Sequence, residues 1–152
     1  MYYNPTSNEI QSRSTAGSFL CLSNNVNQST SYTVLFPNTL RSVGNVGLTY
    51  SAGVFTNSTG QTLILNVSAN WSFINNTTGN RAGWITHSGL TGYIGFVDLP
   101  ASNTTEPSGV SVNTTLCLLN GENFYLTTWR NSGSSLDILY GYIPFLSITL
   151  LN

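Results

Sequence analysis

Between Gln61 and Phe73 apolar and polar residues alternate almost without a break. Leu63, Leu65, Val67, Ala69, Trp71 and Phe73 fall on one side, and Thr62, Asn66, Ser68, Asn70 and Ser72 on the other, with Ile64 as the single apolar exception. Successive side chains of a strand point to opposite faces, so a period of two marks an extended segment with one face in a core and the other against water. Shorter runs bounded by Gly, Asn, Ser or Pro clusters predict further strands at 31–36, 48–55, 81–86, 92–99, 110–119, 123–130, 135–140 and 145–151. Asn120-Gly121 stands between two of them. That dipeptide suits the left-handed backbone of a tight hairpin, and pairing of 114–119 with 123–129 is expected.

Residues 1–30 lack this periodicity. Asn4-Pro5 signals a turn and only Phe19, Leu20, Cys21 and Leu22 group together, so this stretch reads as an extended arm with one short strand at most, ahead of a folded domain over 31–152. Eight or nine strands with no helix between them cannot form a parallel crossover sheet. The predicted class is all-β, with antiparallel sheets packed as a sandwich or jelly roll.

Composition narrows the surface. The chain of 152 residues has four Arg, no Lys and five acids, 6% charged residues where about 25% is usual. Ser, Thr and Asn, at 20, 20 and 19 positions, must therefore keep it soluble. A net charge of −1 offers phosphates no basic field, which excludes nucleic acid as a partner. No apolar run approaches the 18 or so residues of a membrane helix, and Met1 is not followed by a charged start and apolar core. Synthesis in a cytosol is thus expected, with Cys21 and Cys117 as reduced, buried thiols rather than a disulfide. Eight Asn-x-Ser/Thr sequons occur, where composition alone would give about five; Asn66 and Asn70, on the polar face of the long strand, are the plausible carriers.

Three stretches carry a family resemblance: Gly53-Val54-Phe55-Thr56-Asn57 leading through Gly60 to the long strand, Leu116-x-Leu118-x-x-Gly121-Glu122-x-Phe124-Tyr125-Leu126, and the closing Phe145–Leu151 run. Their order over 48–151 resembles the trimeric jelly-roll superfamily of tumour necrosis factor (TNF) and complement-like globular heads. Gly79-Asn80-Arg81-x-x-Trp84 and Trp129-Arg130-Asn131-Ser132-Gly133 are similar to segments in virion-surface and fibre members from large DNA viruses and phages. Glu122 stands where that family has Asp, and Arg130 where Gln is expected. The resemblance implies a homotrimer with inner sheets about a threefold axis. Tyr125, Tyr140, Tyr142 and Phe145 supply more aromatic area near the C-terminus than one core needs and are the expected interface.

Catalysis is poorly served. Five acids, two of them followed closely by Pro, do not make a convergent pair, and His87 is the only imidazole, with no Gly-x-Ser-x-Gly elbow beside it. One His and two distant Cys make no zinc site, and no oxygen cluster suits calcium, so neither a metal nor a cofactor is expected. Arg81, Trp84, His87 and Trp129 are the ligand-binding candidates. Arg81 reads first as a tie between loop and sheet, and His87, in Thr86-His87-Ser88, as an exposed loop residue or pH-sensitive contact. The expected function is a virion-surface structural module, a fibre head, spike or minor capsid protein, touching other capsid proteins and a host glycan or receptor. The alternatives are a secreted receptor-binding ligand of complement or cytokine type, and a sandwich-fold lectin or carbohydrate-active enzyme.

Overall fold

The computed structural model describes residues 2–4, 9–11, 17–21, 26–28, 31–33, 38–43, 46–74, 76–101, 107–132, 136–138 and 145–152. Among them are fifteen strands and no helix. In chain order the strands are β1 Tyr2–Asn4, β2 Glu9–Gln11, β3 Gly17–Cys21, β4 Val26–Gln28, β5 Ser31–Thr33, β6 Asn38–Val43, β7 Leu48–Ser51, β8 Val54–Asn57 and β9 Leu63–Phe73. They continue with β10 Asn80–His87, β11 Ile94–Pro100, β12 Ser108–Leu118, β13 Asn123–Arg130, β14 Leu136–Ile138 and β15 Phe145–Leu150. Every pairing is antiparallel, and apart from the β1-β2 pair the strands form two sheets.

One sheet has six strands in the order β11-β10-β13-β8-β7, with β5 also on β13. The other has seven, in the order β4-β14-β9-β15-β3-β6, with β12 on β9. From β8 onward the chain repeatedly switches sheet, so sequence neighbours face each other across the core, which is the wiring of a jelly roll. Four strands, β1 to β4, lie in the stretch expected as an arm with one short strand, and β3 is paired on both edges, to β15 and to β6.

The core lies between the inner faces. Leu63, Leu65, Val67, Ala69, Trp71 and Phe73 of β9 meet Ile85, Phe124 and Leu126 of the other sheet, with Val110, Val112, Leu116, Leu118, Leu146 and Ile148 beside them. The alternation read from the sequence is the observed one: β9 is buried at every odd-numbered residue and more open at every even one. Each fully buried large aliphatic or aromatic side chain contributes about 1.5–3 kcal/mol. The largest, Trp71, fits because Gly83 stands opposite. A Cβ on Gly83 would overlap the Trp71 ring and meet Val110 Cγ1 at 2.7 Å. We expect Gly83→Ala to destabilise by about 1–3 kcal/mol in thermal unfolding; an unchanged midpoint would show that the indole can step aside.

Two local expectations are corrected. The segments 114–119 and 123–129 do not form a hairpin: β12 pairs with β9 along eleven residues, whereas β13 pairs with β10, β8 and β5. Gly121 does have the left-handed backbone expected of it, with φ of 86°. Its turn carries the chain across the core, because the apolar faces of both strands must point inward from opposite sheets. The run 48–55 is likewise a hairpin, β7 to β8, turning at Ala52 and Gly53, both of positive φ.

Candidate functional site

The outward face of the six-stranded sheet carries a cluster of aromatic rings. Gly83 and Ile85 point into the core, so alternation along β10 turns Trp84 out. Val97 pairs with Gly83 and Ile94 with Ile85, leaving Gly95 and Phe96 together opposite Trp84. This is a β-bulge with Gly in the left-handed region, φ 63°. An added Cβ on Gly95 would meet Val112 Cγ1 at 2.9 Å, so the bulge is specified by glycine both for conformation and for space. The extra residue is what puts Tyr93 and Phe96, three apart, on one side of the sheet.

The rings form one surface. Trp84 lies 4.6 Å from Tyr93 and 5.9 Å from Phe96 between centroids, and Tyr93 lies 5.7 Å from Phe96. Trp84 is the covered floor at 9% exposure, while Tyr93 and Phe96 remain 65% and 49% exposed. The indole is fixed by its own N–H, which donates to Thr86 Oγ1 at 3.2 Å, and that hydroxyl is 3.2 Å from Thr127 Oγ1. Beyond Phe96 on the same side is Asp98, whose carboxylate accepts from the Asn80 amide at 3.2 Å.

The two other β10 candidates point the opposite way. Arg81 is fully buried, and its guanidinium donates to the carbonyls of Asn76, Thr78 and Asn80 at 2.9–3.0 Å, tying the turn before β10 to the sheet. Burial, and then the like charge of Arg130, hold this guanidinium below its ordinary value. His87 is buried too, not exposed in a loop. Its Nδ1 accepts from the Gly89 N–H at 2.9 Å, which assigns the proton to Nε2, and Nε2–H donates to the Cys117 carbonyl at 3.1 Å. Glu122 Oε2 stands 3.7 Å from Nε2 while accepting from the Leu119 N–H. These groups edge a mostly apolar cavity of about 410 Å³ lined also by Leu90, Ile94, Leu116 and Leu119. Both ring nitrogens are occupied with backbone groups, so His87 has no lone pair free to take a proton from a nucleophile. The Cys117 thiol is free and exposed rather than buried. Among the described residues no three His, Cys, Asp or Glu converge on one point.

No protein-family model matches the sequence, and no curated sequence does. Solved structures do. The chain resembles murine APRIL at pH 8.5 with a TM-score of 0.68 at 14% identity, covering 90% of this chain and 99% of the other. It resembles Eiger TNF from S. frugiperda with a TM-score of 0.55 at 14% identity, covering 91% and 92%. The fold is a TNF-like jelly roll.

Within this TNF-like sandwich the residues singled out from sequence disperse. Trp129, half-buried, pairs with Ala82 and so shares the outward side of Trp84, but Arg81 and His87 lie on the inward side of the same strand. Tyr125 and Phe145 are both half-buried and lie on opposite outer faces of the TNF-like fold: Tyr125 beside Thr86 on the six-stranded sheet, Phe145 beside Asn70 on the seven-stranded one. Tyr140 and Tyr142 lie outside the described residues. Tyr93, Phe96 and Asp98 were not singled out from the sequence. The available signal was two aromatics three apart in a strand with Gly between them, a spacing that only a bulge places on one face. Asn57, one of the sequons, is wholly buried with its amide spent on backbone carbonyls, a position that leaves no room for a glycan in this fold; Asn66 and Asn70 are half-buried on the outer polar face.

Proposed function

We propose that this chain is a non-catalytic ligand that assembles as a homotrimer and acts outside the cell by contact with a receptor. The observation that supports this most is a TNF-like sandwich extending over nine-tenths of the chain, with a similarity that reaches nearly the whole of murine APRIL. The site chemistry agrees: the one imidazole is locked by backbone groups, and the exposed features are rings and amides suited to surface contact. A virion-surface module is the second reading. It is favoured by a chain with 6% charged residues and no Lys, and recovery of the protein from purified particles would choose it over the ligand.

A threefold assembly is heterologous, each subunit giving two different patches. Asn66, Ser68, Asn70, Ser147 and Thr149 make the outer face of the seven-stranded sheet, a run of small side chains that lets another chain approach closely, and Phe145 is its aromatic member. Light scattering should give the mass of three chains, and Phe145→Glu should give monomers. A stable monomer for the parent chain would overturn the assembly. Loss of the trimer in Tyr125→Glu but not in Phe145→Glu would move the contact to the six-stranded sheet.

A further inference from the structure

We infer that the Trp84–Tyr93–Phe96 surface is a binding site for a neutral saccharide, with the rings stacking on one face of a pyranose and Asp98 and Asn80 bonding its hydroxyls. This goes beyond the assembly reading and does not depend on it.

The chemistry of the face selects the occupant. Tyr93 and Phe96 are exposed beside a Trp floor whose orientation is set by the bond to Thr86, so little order is lost on binding. The planes are inclined by only 24–44° to one another, a shallow open shelf and not the steep-walled box that surrounds a quaternary ammonium or a lysine head. Asp98 is the single formal charge on this face among the described residues, because Arg81 and Arg130 are buried. A sialylated or sulfated sugar would therefore meet a carboxylate and no cation, and a nucleic acid, though its bases could stack, would find nothing for its phosphates. A purely apolar partner would cover the Asp98 carboxylate with only the bond from the Asn80 amide to offset its lost hydration. A neutral sugar satisfies both halves. Its C–H face is apolar enough to stack on rings, and its hydroxyls can donate to the carboxylate, one oxygen of which is already oriented by the Asn80 amide.

The test is an array of neutral, sialylated and sulfated glycans, followed by calorimetric titration of the strongest neutral one. Neutral glycans should bind and the anionic ones should not. Tyr93→Ala and Phe96→Ala should each weaken binding about tenfold, the scale of one lost stacking contact, and Asp98→Asn should weaken it as well. Tyr50→Ala, an exposed ring on β7, should leave affinity unchanged. Circular dichroism and light scattering on each variant separate loss of the site from loss of fold or assembly. A silent array, a preference for anionic glycans, or binding retained in both ring variants would overturn the inference.

Discussion

Trp71→Ala should cost about 3–5 kcal/mol, a large share of the 5–15 kcal/mol typical of a domain. Three effects add. The side chain is 1% exposed and its ring fills the space that Gly83 leaves, so truncation opens a cavity at the centre of the sandwich. The indole N–H donates to Thr128 Oγ1 at 3.0 Å, and Thr128 passes a bond to the Ala82 carbonyl at 3.2 Å. Removing the indole therefore also strips a partner from a buried hydroxyl on β13. Urea unfolding should show a much lower midpoint with a similar slope. Trp71→Phe keeps most of the packing and should lose clearly less; equal losses would mean that the hydrogen bond, not the cavity, dominates.

Asn57→Asp is expected to be as damaging, at about 3–5 kcal/mol, although it changes only an amide into a carboxylate. The Asn57 amide donates to the Gln61 carbonyl at 2.7 Å and the Leu118 carbonyl at 2.9 Å, while its oxygen accepts from the Thr59 N–H and hydroxyl. An aspartate would aim negative charge at two carbonyl oxygens in a site with no exposure. Asn57→Ala removes the same bonds without adding charge and should cost about 2 kcal/mol. If thermal melts rank the two substitutions the other way, the site is wetter than its burial implies.

What the sequence made legible follows from physics that is local. β9 was readable because one face is buried along its whole length, and β13 because its flanking turns are explicit. Partner choice was not. Asn120-Gly121 announces a turn but does not say whether the chain returns to the same sheet; that is decided by Leu116 and Leu118 facing Phe124 and Leu126 across a core. The turn at Ala52 was missed because alanine rarely takes a left-handed backbone. The strands β1 to β6, three to six residues each, are too short for a period to stand out in the sequence.

The candidate site was half visible for a related reason. Trp84 stood out, but on β10 the usual rule is inverted: Arg81 and His87 face inward and Trp84 outward. Trp71 has claimed the interior opposite Gly83, and backbone atoms bind both ring nitrogens of His87 and the two terminal guanidinium nitrogens of Arg81, which offsets most of the cost of turning these side chains inward. The companions of Trp84 depended on a bulge whose consequence exists only in three dimensions.

The Asn57 bonds couple two turns that are distant in sequence. Besides its side-chain contacts, the Asn57 N–H donates to the Glu122 carbonyl and the Gly121 N–H donates to the Asn57 carbonyl, and the Asn120 side chain accepts from the Gly60 N–H. Residues 57–61 and 118–122 are therefore a single mechanical clasp at one end of the sandwich. Anyone wishing to display a foreign peptide on this scaffold should leave that end alone, or transplant both turns as a unit.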